Sequence, residues 1–180
     1  YIFDYLMVRC KNPRQDKFRL AIVDGFAGGG RYRCGTPGSP LIFLEELKRA
    51  ADEINLRRSI SGLGIIDIEC LLIFNDSSKD AISFLKGQVS PIQLEIKESC
   101  HRLHIHIEYL NDLFEIAYQK IKFLLNQGGY RSVIFNLDQC GHSCVDRNTI
   151  IDIMNSYTSA EIFYTFVISS LLAFLQKNNP

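Results

Sequence analysis

Tryptophan is absent from this 180-residue sequence, methionine occurs twice and proline five times. No sign of charge dominates either. Twenty Lys and Arg offset twenty Asp and Glu, so the formal net charge is zero. That balance is not the footprint of a strongly basic nucleic-acid-binding domain, although it leaves room for a local patch. No Cys-x-x-Cys pair occurs among Cys10, Cys34, Cys70, Cys100, Cys140 and Cys144. Scattered cysteines in a chain that is 47% hydrophobic read as reduced thiols of a cytoplasmic protein, not as a disulfide scaffold. No secretory signal is visible. The longest apolar stretch, Ile162 to Leu175, is broken by Tyr, Thr and Ser and falls short of the roughly 20 residues of a membrane span. No membrane partner is expected. The chain opens at Tyr1, not at Met, and reads as a piece of a longer protein.

What is present is an alternation of strand and helix patterns. Residues Phe18 to Phe26 form a first apolar strand ending in glycines, followed by a Gly- and Pro-rich loop from Ala27 to Gly38. Ser39 is placed to cap the next helix, with Pro40 in its first turn. Leu41, Leu44, Leu47, Ala51 and Ile54 then fall on one helical face. Ile68 to Phe74 is a continuous apolar strand, as a parallel sheet buried on both faces requires. Ser77 to Gln88 reads as a helix, Ile92 to Ile96 as an edge ribbon and His104 to Tyr109 as a third strand. Leu113, Ile116, Ala117, Ile121 and Leu124 mark an amphipathic helix stopped by Gly128 and Gly129. Val133 to Leu137 is a fourth strand. Asp146 caps a helix carrying Ile150, Ile153, Met154 and Tyr157 on one side. Ile162 to Ile168 is a fifth strand, and the tail is helical. Repeated βα units imply an α/β, Rossmann-like fold: a mainly parallel sheet with helices on both faces. The expectation is one domain over residues 1–180, with 1–17 as a lead-in and the last strands of such folds missing. Ligands then bind at the carboxyl ends of the strands.

The residues at those ends carry the chemistry. Asp24, Gly25, Phe26, Ala27, Gly28 and Gly30 follow the first strand and precede a helix, the context of a nucleotide-binding glycine loop. A dinucleotide loop sets a pyrophosphate over the helix N-terminus. An acid at the strand tip repels phosphate but suits the cationic head of S-adenosylmethionine. The loop therefore favours that cofactor over NAD, against the plainer reading of a tight turn that needs small residues. Asn75 or Asp76, after the second strand, is placed to hold ribose hydroxyls, and one residue of register decides which. Asp112 is placed to meet adenine. Helix capping is the alternative at both positions. After the fourth strand, Asp138 can orient an acceptor N–H or O–H, Gln139 can hydrogen-bond it, and His142 can take a proton near neutral pH. A strand-end turn is the plainer reading there too. Cys100, His101, His104 and His106, and Cys140, His142 and Cys144, lack the paired spacing of a structural zinc site, so no metal is expected. Lys11, Arg14, Lys17 and Arg19 form a small basic stretch best read as a solvated face.

The run Asp24 to Tyr32 (DGFAGGGRY), followed by Gly35 to Leu41 (GTPGSPL), resembles the three-Cys-motif partner proteins, the TcmP family. Phe135 to Val145 resembles that family's fourth-strand motif, and Glu161 to Leu175 its following strand and helix. The resemblance spans roughly Phe18 to Leu175. It implies a methyltransferase-like Rossmann fold and a companion protein bearing a three-cysteine motif. It supports Asp24, Gly28, Gly30 and Asp138 as site positions. Cys140 stands where the family has an aromatic residue, which removes a stacking surface for a flipped nucleobase, and Gln139 stands where many relatives have Pro. The function expected is that of an S-adenosylmethionine-dependent methyltransferase, with nucleic acid the acceptor class to test first. The rivals are a non-catalytic partner protein of a defence or mobile-element system and an NAD-linked oxidoreductase.

Overall fold

The computed structural model describes residues 1–139 and 145–165. Its elements run in the order α1 (Ile2–Arg9), β1 (Lys17–Asp24), α2 (Ser39–Ile60), β2 (Asp67–Asn75), α3 (Lys79–Ser99), β3 (Leu103–Leu110), α4 (Phe114–Gln127), β4 (Ser132–Leu137), α5 (Arg147–Ser156) and β5 (Ser159–Tyr164). The five strands form one sheet in the order β3-β2-β1-β4-β5, with every neighbouring pair parallel. The strand order reverses between β1 and β4, and that reversal opens a crevice at the carboxyl edge.

Side chains alternate across the sheet and fill two cores. Leu20 and Ile22 of β1 join Ile68, Leu72 and Phe74 of β2 against α1, α2 and α3. Ala21 and Val23 join Ile73, Val133 and Phe135 against α4 and α5. Helices thus cover both faces of a Rossmann-like α/β sheet, as the alternating pattern predicts. Leu41, Leu44, Leu47, Ala51 and Ile54 are all buried along α2.

Several local expectations are corrected. The ribbon expected at Ile92 to Ile96 does not exist; α3 continues through it to Ser99. Ile92, Leu94 and Ile96 fit a period of two, but Ile96 is buried and Ile92 partly so at helical spacing, while Leu94 is exposed. Pro91 is tolerated because it and Gly87, whose carbonyl loses its helical partner, both lie on the exposed side. Ser39 is not the cap of α2. Gly38 takes that place, and the Ser39 hydroxyl turns instead to Asp24. Leu113, Ile116 and Met154 are exposed, and Phe114 and Tyr118 take the buried positions on α4. Asp146 does cap α5, accepting the Asn148 N–H. β5 begins at Ser159, before the expected start. The residues of the expected fifth strand beyond 165, and the expected helical tail, lie outside the described residues.

The lead-in is also more than a tail. Leu6 of α1 is fully buried in the core shared with α2. The Tyr5 hydroxyl lies 3.3 Å from Ser159 Oγ, Arg9 donates to Ser132 Oγ, and the Tyr1 ring meets the edge of Phe163 at 4.6 Å. The connection from α1 to β1 is held by Arg58 of α2. Its buried guanidinium donates to the carbonyls of Cys10, Asn12, Pro13, Gln15 and Gly64. No described carboxylate shares the site, so peptide dipoles solvate the charge. Arg58→Ala strips five carbonyls of their donor and is expected to cost about 3 kcal/mol in urea unfolding. A loss below about 0.5 kcal/mol, the range of ordinary surface changes, would show that water satisfies these carbonyls.

Candidate functional site

The crevice at the strand reversal is a cleft of about 850 Å³. Gly25 to Tyr32 after β1, Asn75 to Ser77 after β2, Asp112 to Ile116 before and in α4, and Asp138 after β4 line it, with Gly38 and Ser39 at the start of α2. The size suits a cofactor or drug-sized molecule. The chemistry of its wall is set by how the glycine loop is tied down.

Four consecutive amides of that loop are used internally. Gly25 N–H donates to the Asn136 carbonyl, Phe26 N–H to Asp24 Oδ1, Ala27 N–H to the Asn75 carbonyl and Gly28 N–H to Asp76 Oδ2 at 2.9 Å. In a phosphate-binding loop such donors point at the ligand; here the protein's own acceptors hold them. Glycine is required for the path itself. Gly28 and Gly30 have φ of 58° and 82°, a region that penalises side chains. A Cβ on Gly30 would also stand 2.7 Å from Leu85 Cδ1, and one on Gly25 2.8 Å from the Phe114 ring.

Asp24 does not line the cleft. It is fully buried beneath the loop, 2.5 Å from the Ser39 hydroxyl that donates to it. Burial pushes its carboxyl up to about 6, against the lowering effect of the Ser39, Phe26 and Asn136 hydrogen bonds, and the Asp138 charge adds to the rise. Asp24 therefore acts on the cleft through Ser39 and the loop. Asn75 is buried too. Its amide donates to the Gly25 and Asp112 carbonyls and its oxygen accepts the Asp112 N–H, clamping the ends of β1 and β3 together. Asp76 is half-buried on the cleft wall, accepting from Gly28 N–H and Ser78 N–H. Of the two residues at the end of β2, Asp76 thus presents the charge.

Asp112 and Asp138 are exposed on the wall, and neither carboxylate accepts a hydrogen bond from a described residue. Glu115 also lines the cleft, holding the Asp146 N–H and the Thr149 hydroxyl. The lining thus carries the carboxylates of Asp76, Asp112, Glu115 and Asp138 against one described guanidinium, that of Arg31. Sequence reasoning missed Ser39, Glu115, Arg31, Tyr32 and the apolar wall of Leu113, Phe114 and Ile116. The apolar signal was visible, since Leu113 and Ile116 fit the helix pattern. Their exposure at the cleft is a tertiary fact.

The fourth-strand motif divides. Asp138 faces the cleft, whereas Gln139 is buried and donates to the Tyr164 hydroxyl of β5. His142 lies outside the described residues, as does the Cys140, His142, Cys144 group. Cys100 is buried, and His104 and His106 stand on β3 with Asp67 and Glu108 as partners. Among the described residues no three metal-capable side chains converge. Lys17 and Arg19 of the basic stretch pair with Glu69 at the opposite end of the sheet. No described helix is long and apolar enough to cross a membrane. Comparison with protein-family models, with curated proteins and with solved structures finds no match for this chain.

Asp24 also leaves a mark on stability. A carboxyl raised in the folded state stabilises fully below its unfolded value near 3.8, and that contribution is lost as pH climbs through about 6. Asp24→Asn removes the ionisation. The variant is expected to gain on the wild type by on the order of 2 kcal/mol between pH 4 and pH 7 in denaturant titrations. A difference independent of pH would mean that Asp24 titrates normally.

Proposed function

We propose that this cleft binds S-adenosylmethionine and that the chain is a methyltransferase of the TcmP kind. One observation carries the reading: amides Gly25 to Gly28 are withdrawn from any ligand while Asp76, Asp112 and Asp138 present carboxylates to it. Such a wall disfavours the pyrophosphate of a dinucleotide and favours a ligand that is cationic and rich in hydroxyl and amino donors. When bound, the cofactor supplies a methyl group on a positively charged sulfur.

The chain's own residues then have distinct tasks. Asp76 and Asp112 take donors of the cofactor. The ring of Phe26, 5.7 Å from that of Phe114, and the Leu113 and Ile116 side chains exclude water from its apolar part. Asp138 orients an acceptor N–H or O–H so that its lone pair lies in line with the methyl group. Gln139 acts from behind, by holding Tyr164. The acceptor is open to test among nucleic acid, protein and small molecules. The acidic lining counts against a polyanion that must enter deeply. A non-catalytic partner protein, bound to a companion with a three-cysteine motif, is the second reading. The inward turn of Gln139 favours it, because Asp138 is then the only described residue of the motif left at the cleft wall. Free Cys10, Cys34, Cys70 and Cys100 support a reducing, cytoplasmic setting.

Calorimetric titration with S-adenosylmethionine, S-adenosylhomocysteine and NAD tests the cofactor. The first two are expected to saturate and NAD to give no heat of binding. Asp112→Asn should weaken binding about tenfold, the loss of one hydrogen bond to a charged group. Absence of binding by the wild-type chain would refute the proposal. Labelled methyl transfer to an acceptor panel separates the enzyme from the non-catalytic reading.

A further inference from the structure

Strand β3 forms one margin of the sheet, and its outer edge has no neighbour among the described residues. It is eight residues long, unbroken by Gly or Pro, and carries no Lys. Protein edges of this length are ordinarily blunted by such devices, because open N–H and C=O groups template further pairing. The carbonyls of Arg102 and Leu110 accept the N–H groups of Ile68 on β2 and of Asp76 just after it. By the two-residue alternation of a strand, the even positions of β3 bond inward, and Leu103, Ile105, Ile107 and Tyr109 turn their N–H and C=O outward.

We infer that this edge pairs antiparallel with the same edge of a second copy of this chain, about a two-fold axis at His106. The sequence LHIHIEYL is self-complementary in that register. His104 comes to lie opposite Glu108 of the partner subunit, and Glu108 opposite the partner's His104. Ile105 meets the partner's Ile107, and Leu103 meets the partner's Tyr109. The outward-bonding odd positions become the hydrogen-bonded pairs. His104, His106 and Glu108 become the closer, non-bonded pairs on one face, where side chains interact most strongly. Moving the axis to Ile107 would set His104 against an apolar Leu110. These side chains now contact exposed partners of their own chain, His104 with Asp67 and His106 with Glu108, which the pairing exchanges for contacts across the axis. His104 and His106 are 56% and 70% exposed, and Glu108 is 35% exposed. Beside them lies a hollow of about 520 Å³, lined by Gln93, Lys97 and His101 among others, with room for the facing side chains. The product is one continuous sheet of ten described strands with a cleft on each half.

Sedimentation of the 20.6 kDa chain tests the pairing, together with amide hydrogen exchange. The wild type is expected at twice that mass, with the amides of Ile105, Ile107 and Tyr109 exchanging slowly. Ile107→Pro removes an outward N–H while leaving the β2–β3 ladder intact, and Glu108→Lys removes the carboxylate that faces the partner's His104. Each should raise the dimer dissociation constant at least about tenfold, with circular dichroism reporting whether the fold is kept. Should one variant unfold, the other and the wild-type exchange pattern decide. A monomeric wild type, rapid exchange at those amides, or a dimer that survives both substitutions would overturn the inference. None of these readings depends on cofactor binding.

Discussion

The tip of β1 is where the structure commits itself. A chain leaving a buried parallel strand must satisfy its next amides without a further ladder, and here Asp24, Asp76 and the carbonyls of Asn75 and Asn136 do so. Because those acceptors come from β1, from the end of β2 and from β4, the loop ties three strand ends into one rim. Burying Asp24 is the costly part. The Ser39 hydroxyl and the Phe26 amide offset the cost only in part, which is why the carboxyl sits well above its usual range. This knot fixes the rest of the rim: α2 starts where Ser39 reaches Asp24, and the cleft opens above a floor whose Gly25 to Gly28 amides are all engaged.

The electrostatic character of the cleft is thus inherited from backbone satisfaction. A glycine loop is commonly read as an anion cradle, since its N–H groups face outward. Once an acidic side chain fills that role from within, the same loop repels anions and its neighbourhood welcomes positive charge. Asp76 makes the inversion, and Asp112 and Asp138 extend it along the wall.

The architecture was legible in the amino-acid sequence because both periodicities are strong. Runs such as Ile68 to Phe74 need burial on two faces, and the Leu41 to Ile54 stripe needs burial on one. The failures have physical causes. Ile92 and Ile96 satisfy strand and helix periods alike, with Leu94 between them fitting the strand period alone, and Pro91 speaks against a helix until its exposure is known, which one dimension does not show. Ser39 has the chemistry of a cap, but a buried carboxylate nearby is a better partner for its hydroxyl. The positions of the strand-end residues were legible from topology alone. Their orientation was not: Asp24 and Asn75 face inward and Asp76 outward, as a strand's alternation and its neighbours dictate. Gln139 turns to a tyrosine 25 residues later, and no local pattern reports such a contact.

Helix α1 has one more implication. It is synthesised before the five described strands, yet Tyr1 and Tyr5 rest on Phe163 and Ser159 of the last of them. Every parallel pairing in the sheet closes a long stretch of chain, which makes assembly slow. The helix therefore finds its final contacts only after β5 has been made and has joined β4. Until then Tyr1 and Tyr5 lack these partners, whereas Ile2 and Leu6 belong to the core shared with α2. Nascent chains therefore hold the Tyr1 and Tyr5 side chains without their β5 partners until the last described strand has joined the sheet.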